Sequence, residues 1–518
     1  MMDLHAMMEA LHLMATSMSS WGWIVPGLIV GLVFSAIPGV SISMAMAIVL
    51  PMSLYMDFFP SVVFLTSVYT GAGFGGSVPA ILMNIPGSPT SYATTFDGYA
   101  MSKKGMHNEA LGYALFASTL CGLAGYVLLL FVVEPMANLV LKIGPFEMFA
   151  VAIWGMLLLG SLGTKYATRG ILAAGLGVLL GGIGMNTAGF MRGTMGMPEL
   201  INGIAPVPAM IGLLASGQLF NLATKDYILD AESSREVSLK KILAGCWGTF
   251  KFPGVLVRGS IIGIVIGAVP GVGAAVGNLI AYSETKRTAK DSQTFGKGNP
   301  KGLVAAESSV ASSEGGSMAT MLALGIPGGG ATAILLAAFM MHNIVPGPSF
   351  IQNQKPMVYA IILNNMVQAV LLLVVGIAFI YAACNVVRIR TRYVLPAILV
   401  IATLGTYAVE GSVSGPITLF VFSILGFGLV KFQYPVAAVV VGILLGRMLE
   451  TELLRSYQVS GGDLLYILHR PFALAIFAMM FFSLVMTMIG KRRQARIEAE
   501  EARMMRELDA QVLAENGR

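Results

Sequence analysis

Apolar runs long enough to cross a lipid bilayer decide what this chain can fold into. Ala110–Val133 and Val358–Ala383 each exceed the roughly 20 residues that a spanning helix needs. Gly170–Ile183, Pro435–Gly446 and Pro471–Ile489 come close, and need flanking residues or burial in a bundle. Only 11% of the 518 residues are charged, against roughly 25% in a soluble domain. Backbone polar groups in lipid must be satisfied within the segment, so repeated apolar runs predict a helical bundle and not a barrel. The pattern predicts an all-α polytopic membrane protein of about ten to twelve membrane segments, some of them broken.

Charge orients the chain. The net charge of +6 comes from basic residues in short loops and the tail, the positive-inside pattern, not a nucleic-acid surface. Residues 1–20 hold Asp3 and Glu9 but no Lys or Arg. They lack the basic start of a secretory signal, so the first apolar segment is expected to remain, with an extracytoplasmic N-terminus. Lys491, Arg492, Arg493 and Arg496 place the C-terminus in the cytoplasm. Cys121, Cys246 and Cys384 are isolated, and His5, His12, His107, His342 and His469 are scattered, so neither a disulfide framework nor a zinc site is expected. There is no phosphate-cradling G-x-x-x-x-G-K-[ST], no H-E-x-x-H and no nucleophile elbow. We expect no cofactor and no enzyme; energy must come from an ion gradient or a partner.

The chain repeats itself. Gly27, Gly31, Ser35 and Gly39 recur every four residues and end in Pro38-Gly39; Gly259, Gly263, Gly267 and Gly271 do the same and end in Pro270-Gly271, each pair offset by 232. Gly75-Gly76-Ser77 then matches Gly315-Gly316-Ser317 at an offset of 240, and Ile85-Pro86-Gly87 matches Ile326-Pro327-Gly328 at 241. One stripe of small residues is ordinary helix packing. Two stripes in register with two further motif pairs are a duplication. The segment before the first stripe has no Lys or Arg; the one before the second carries Lys225, Arg235, Lys240, Lys241, Lys251 and Arg258. The copies therefore enter from opposite faces, as in the inverted-topology repeats of secondary transporters. The expected organisation is 1–20 outside, 21–221 first repeat, 222–253 cytoplasmic basic loop, 254–455 second repeat, 456–490 final membrane region and 491–518 cytoplasmic tail. Basic residues on both sides of Gly254–Tyr282 favour a re-entrant hairpin with Pro270-Gly271 at its tip. Each arm of about 15 residues reaches roughly 22 Å. A Pro-kinked span is the competing arrangement, and the same choice holds for Gly22–Tyr55.

Glycine and proline are too dense in two stretches for plain spanning helix. These are Gly75, Gly76 and Ser77 with Asn84, Pro86, Gly87, Ser88 and Thr90, and Gly315, Gly316 and Ser317 with Pro327, Gly328, Gly329 and Thr332. Unwound backbone at membrane depth belongs where protein buries it or where it lines a wet cavity. A helix restarting after Pro-Gly offers N–H groups and the positive end of its dipole. Ser88, Thr90, Ser91 and Thr332 add hydroxyl donors, so the breaks suit an anion such as a carboxylate. The plainer alternative is a pair of surface turns. Glu307 and Glu314 lie seven apart, hence on one helix face, with Ser308 and Ser312 nearby. Ionisable residues inside a membrane segment point to function. Either they couple Na⁺ or H⁺, or Glu307 caps a helix at the interface and Glu314 faces water. Asp97 is an ion ligand or a loop cap.

The motifs together resemble the large membrane subunit, TctA type, of the tripartite tricarboxylate transporters. The resemblance rests on Tyr69 to Tyr99, Pro270-Gly-Val-Gly273, Phe295-Gly-Lys-Gly298, Ala306-Glu-Ser308, Leu324-Gly-Ile-Pro-Gly328 and Pro346-Gly-Pro348, and spans residues 20 to 455 in preserved order. It implies a secondary importer in the bacterial inner (cytoplasmic) membrane, working with a small four-span subunit and a periplasmic solute-binding protein. It implies tri- or dicarboxylate substrates such as citrate and a driving cation gradient, Na⁺ or H⁺. The family usually reads Pro-Glu-Ser-Ala-Asn-Asn where this chain has Ala306-Glu-Ser-Ser-Val-Ala311. Two amides that could contact substrate or ion are missing, which puts coupling ion and substrate class in question. The rival classes are a membrane-embedded enzyme acting on a lipid-linked substrate, which lacks a metal or His partner for Glu307 and Glu314, and a passive channel or scaffold, which paired breaks disfavour.

Overall fold

Glycine and proline punctuate a long succession of helices. A computed structural model describes residues 3–37, 40–84, 86–140, 144–162, 167–186, 189–213, 237–269, 273–386, 399–400, 403–404, 406–407 and 410–463, and then 470, 472–474, 476–478 and 480–481. The expected hairpin tips Pro38-Gly39 and Pro270-Gly271, most of Pro471–Ile489 and the tail from Lys491 lie outside them.

The first half holds α1 (Leu4–Thr16), α2 (Met18–Ser35), α3 (Ile42–Ser53), α4 (Phe58–Gly75), α5 (Ser77–Met83), α6 (Tyr92–Lys103) and α7 (His107–Val140). Then come α8 (Pro145–Leu162), α9 (Ala167–Gly181), a two-residue-per-strand hairpin pairing Gly184 with Arg192, and α10 (Pro206–Ile211). The second half holds α11 (Leu239–Gly248), α12 (Pro253–Ala268), α13 (Gly273–Thr288), α14 (Pro300–Leu324), α15 (Gly330–Met341), α16 (Pro348–Asn353) and α17 (Lys355–Val386). Last come α18 (Ser414–Lys431) and α19 (Val436–Val459).

Five stretches are long and apolar enough to span: Met18–Ser35, Phe58–Leu82, His107–Ala137, Lys355–Ala382 and Ser414–Lys431; a sixth is reached if Leu239–Lys251 and Pro253–Ala268 count as one. Ile42–Ser53, Thr168–Gly181 and Gly330–Met341 are shorter apolar helices. The chain is a polytopic, all-α membrane protein. Among the described residues the full-length spans are fewer than the ten to twelve segments expected, because several apolar runs are short helices ended by glycine or proline.

The glycine stripes explain the closest packing. A side chain at Gly31 would strike the α4 backbone at Val68 and Ala72, and one at Gly75 would meet the α2 carbonyl of Leu32 at 2.6 Å. In the second half Gly263 sits against Ser309 and Ser312, and Gly316 against the carbonyl of Ile264. Gly87 rests on Ser35 and Gly76; Gly328 rests on Gly267 and Ser317. These contacts match at an offset of 241 from Gly75 onward. Gly76 therefore corresponds in space to Ser317, one residue out of step with the Gly-Gly-Ser match read at 240. The helices before the breaks end alike as well, in left-handed residues: Asn84 at φ 60° and Gly325 at φ 69°. Glycine takes this conformation without strain, and asparagine tolerates it.

Two further packings are exchanged between halves. Helix α7 lies on α14 while α17 lies on α4, and α3 packs on α15 while α13 packs on α6. Within the second half, Arg258 near the start of α12 hydrogen-bonds Thr288 at the end of α13. The arms α12 and α13 are therefore folded back on each other as a hairpin, which a kinked span would not allow. Helices α8, α9 and α19 form a separate packing group in which Gly177 and Gly442 bring α9 and α19 into backbone contact. Helix α10 packs on α18 and also touches α3 and α15, and α19 touches α15.

Candidate functional site

Helix α14 carries two carboxylates into the interior, Glu307 at 0% and Glu314 at 3% exposure. Their seven-residue spacing puts both on one face, as expected. Glu307 accepts hydrogen bonds from Ser77 (2.7 Å), Thr94 (2.5 Å) and Ser118 (3.1 Å). Glu314 accepts from Thr70 (2.9 Å) and Tyr126 (3.1 Å). These pairings run the α4–α5 stretch antiparallel to α14, since Ser77 at the start of α5 meets Glu307 while Thr70 of α4 meets Glu314. Among the described residues, no Lys, Arg or His forms an ion pair with either carboxylate. The alternative roles, a helix cap for Glu307 and a water-facing Glu314, do not match this geometry: Glu307 lies inside α14 and not at its end, and both are buried among hydroxyl donors from the first half of the chain. Gly73 makes room for Glu314: a β-carbon there would lie 2.7 Å from its Oε1.

The first break lies beside Glu307. Gly87 is buried and its N–H donates to the carbonyl of Gly76 (3.1 Å). Over Gly76 three hydroxyls converge, since a β-carbon built there would meet those of Ser91, Ser88 and Ser35 at 2.8, 2.9 and 3.0 Å. Ser88 also pairs with Thr90 (2.6 Å), and the Ser77 hydroxyl lies 3.5 Å from that of Ser91. The Ser35 hydroxyl is buried and has no hydrogen-bond partner among the described residues. A chain of hydroxyls thus leads from the break to Glu307. The expectation of unpaired N–H groups needs adjusting here: those of Gly87 and Ser91 have backbone acceptors, and Asn278 of the second half accepts from Ala93 at the start of α6 (2.9 Å). Asn84 is the exposed left-handed cap that ends α5.

The second break lies beside Ser317. Pro327 and Gly328 are buried, so the plain surface turn is excluded there. The Thr332 hydroxyl accepts from the N–H of Gly329 and donates to its carbonyl, both at 3.0 Å. Gly330 lies against Ser43 of α3. From Glu307 to Ser317 is ten residues of helix, roughly 15 Å, so the two breaks sit at different depths with the carboxylates between.

Several expected site residues do other work. Asp97 accepts N–H bonds from Gly296 (2.9 Å), Gly298 (2.8 Å) and Asn299 (2.8 Å) and the hydroxyl of Tyr282 (2.9 Å). Of its two expected roles the geometry is that of the loop cap, clamping residues 296–299 onto α6. Ser308 bonds within its own helix, and Ser312 bonds the carbonyls of Ser308 and Ser260. Both lie on the side of α14 that packs on α12. Ser317 donates to Gly267, and Gly315 packs on Gly125 of α7. Ser118, Tyr126 and Asn278 were not anticipated. Their signal was a polar side chain inside an apolar helical run.

A model of the "Tripartite tricarboxylate transporter TctA family" matches residues 22–441. The chain belongs to that family. This TctA-family chain is 30% identical to an Agrobacterium vitis protein described as "Uncharacterized 52.8 kDa protein in TAR-I ttuC' 3'region", over 92% of this chain and 94% of that one. It is 27% identical to a second Agrobacterium vitis protein, from the "TAR-II ttuC' 3'region", over 45% of this chain and 97% of that one. No solved structure matches. The protein is accordingly a membrane subunit of a tripartite tricarboxylate transporter, in a family of transporter subunits and not of enzymes.

Proposed function

We propose that this subunit imports small carboxylates, tri- or dicarboxylates such as citrate, across the bacterial inner membrane. The substrate arrives from a periplasmic binding protein, and a small four-span subunit completes the complex. Transport is driven by Na⁺ or H⁺. The observation that carries this is the placement of two buried carboxylates between two helix breaks, hydrogen-bonded among the described residues by hydroxyls and by no cationic side chain. Buried carboxylates without a counter-charge strongly disfavour a second anion nearby. A cation bound at Glu307 or Glu314 removes that repulsion. It leaves the restarting helices α6 and α15, with their positive dipole ends, free to attract substrate. Cation binding must then precede substrate binding, which is coupling by electrostatics. The antiparallel α4–α5 stretch and α14, the matching helix order and the exchanged packings support an inverted-topology repeat, the usual basis of alternating access.

The test is uptake into proteoliposomes with the partner proteins present. Glu307→Gln and Glu314→Gln should each abolish gradient-driven accumulation while leaving the protein inserted and folded. Replacing Gly87 or Gly328 by Leu should stop transport through the breaks. Full cation-dependent uptake in the two Gln variants would sink the coupling role, and full uptake in the two Leu variants would sink the site.

A further inference from the structure

The elbow between α11 and α12 has features that neither the carboxylate site nor the packing uses. The two segments meet at Pro253 with a bend of 82°. If α12 descends through the membrane, α11 lies along its surface. Helix α11 is amphipathic: Ile242, Gly245 and Cys246 are buried, with Ile242 and Gly245 against α7. Leu239, Leu243 and Trp247 point away, and Trp247 is 73% exposed, while Phe250 sets its ring edge-to-face on Phe116 of α7 with centroids 5.0 Å apart. Trp247 and Phe250 stack with centroids 5.8 Å apart. Lys240, Lys241 and Lys251 are exposed beside this stripe. Just past the elbow, Pro253, Gly254, Val257, Arg258, Ile261 and Ile262 line an open apolar groove of about 540 Å³. The Arg258 guanidinium is held there by Thr288.

We propose that this elbow binds an anionic phospholipid, acyl chain in the groove and phosphate drawn to Arg258 and Lys251 at the bend, with Lys240 and Lys241 at the far end of α11 adding positive charge along the surface. Charge complementarity selects the occupant: the patch is basic above and apolar below, the profile of a helix lying in the interface. Tryptophan and lysine at such a position have their apolar bodies in lipid and their polar ends at the headgroups. The opposite face of α12 carries Gly259, Gly263 and Gly267 against α14. The lipid would thus brace the helix that packs on the Ser308 and Ser312 side of α14, the helix that carries Glu307 and Glu314 on its other side. The inference stands apart from the choice of transported solute, because lipid preference is read without transport.

The experiment is tryptophan quenching in the full chain. Emission of Trp247 is obtained as the difference between the chain and Trp247→Phe, in nanodiscs of neutral phosphatidylcholine doped with brominated phosphatidylglycerol or brominated phosphatidylcholine. We expect Trp247 to be quenched at lower mole fraction by the anionic lipid. The preference should weaken by about fivefold for each basic residue replaced by Gln. Lys241→Gln serves alone if the variant of all four is unstable. Equal quenching by the two lipids overturns the proposal. So does protection of Trp247 in the complex purified with its companion membrane subunit, which would assign the face to a protein.

Discussion

Glu314 and Gly73 form a matched pair, since the carboxylate occupies the space that any side chain at Gly73 would take. Gly73→Val should therefore reproduce the transport defect of Glu314→Gln without removing a charge. The check is the dependence of uptake on Na⁺ and on pH in both variants; a wild-type profile in Gly73→Val would separate Glu314 from coupling. Glu307 has three donors and Glu314 two. Glu307→Gln turns an acceptor toward Ser77, Thr94 or Ser118 into a donor, and should destabilise the fold by about 1–3 kcal/mol. Thermal unfolding in detergent measures this. An unchanged midpoint would mean that the hydroxyls find other partners. The two glutamates were legible in the sequence because charge is rare in a membrane segment and their spacing is helical. Their donors Ser118 and Tyr126 were not, because a single polar residue in α7 gives no clue to which helix it faces.

At the scale of elements, the glycine stripes were legible as packing surfaces, and their partners follow from the order of the chain: α2 packs on α4 and α12 on α14. Gly31→Leu and Gly263→Leu force these backbones apart. Each should lower stability by about 1–3 kcal/mol, whereas Val257→Leu on the exposed side of α12 should leave it unchanged. Equal melting points across the three would show that the stripes tolerate separation. The breaks were legible from Pro-Gly, but their true register was not. Local identity aligned Gly76 with Gly316, whereas the contacts align it with Ser317, because packing acts on backbone proximity and not on letters. The hairpin choice turned on the charge at both ends of α12 and α13; the Arg258–Thr288 contact brings those two ends together. The role of Asp97 needed the fold, since its partners lie about 200 residues away. Asp97→Ala should free the loop it clamps and speed tryptic cleavage after Lys290 and Lys297. Protection equal to wild type would leave the clamp without consequence.

For the whole molecule, charge and packing assign the two ends. One end gathers Lys103, Lys104, Lys297, Lys301 and Arg258 around the loop that Asp97 holds, and Lys104 reaches the carbonyl of Lys297 (2.6 Å). At the other end Phe58, Phe339 and Phe350 cluster where α4 begins and α15 finishes, with centroids 4.9 to 6.3 Å apart. Helix α14 joins the ends. Its 25 residues reach roughly 37 Å, more than the apolar core of a bilayer. The positive-inside bias predicts Lys297 on the cytoplasmic side and Asn343 on the other. In a chain with Cys121, Cys246 and Cys384 replaced, Lys297→Cys should react with a membrane-impermeant maleimide only in inverted vesicles, and Asn343→Cys only in right-side-out cells. Both residues are exposed, so silence from burial is not in question. The same labelling of the two cysteines from one side would overturn the proposed inverted arrangement. It would also remove the reason for two antiparallel breaks to open in turn to opposite faces of the membrane.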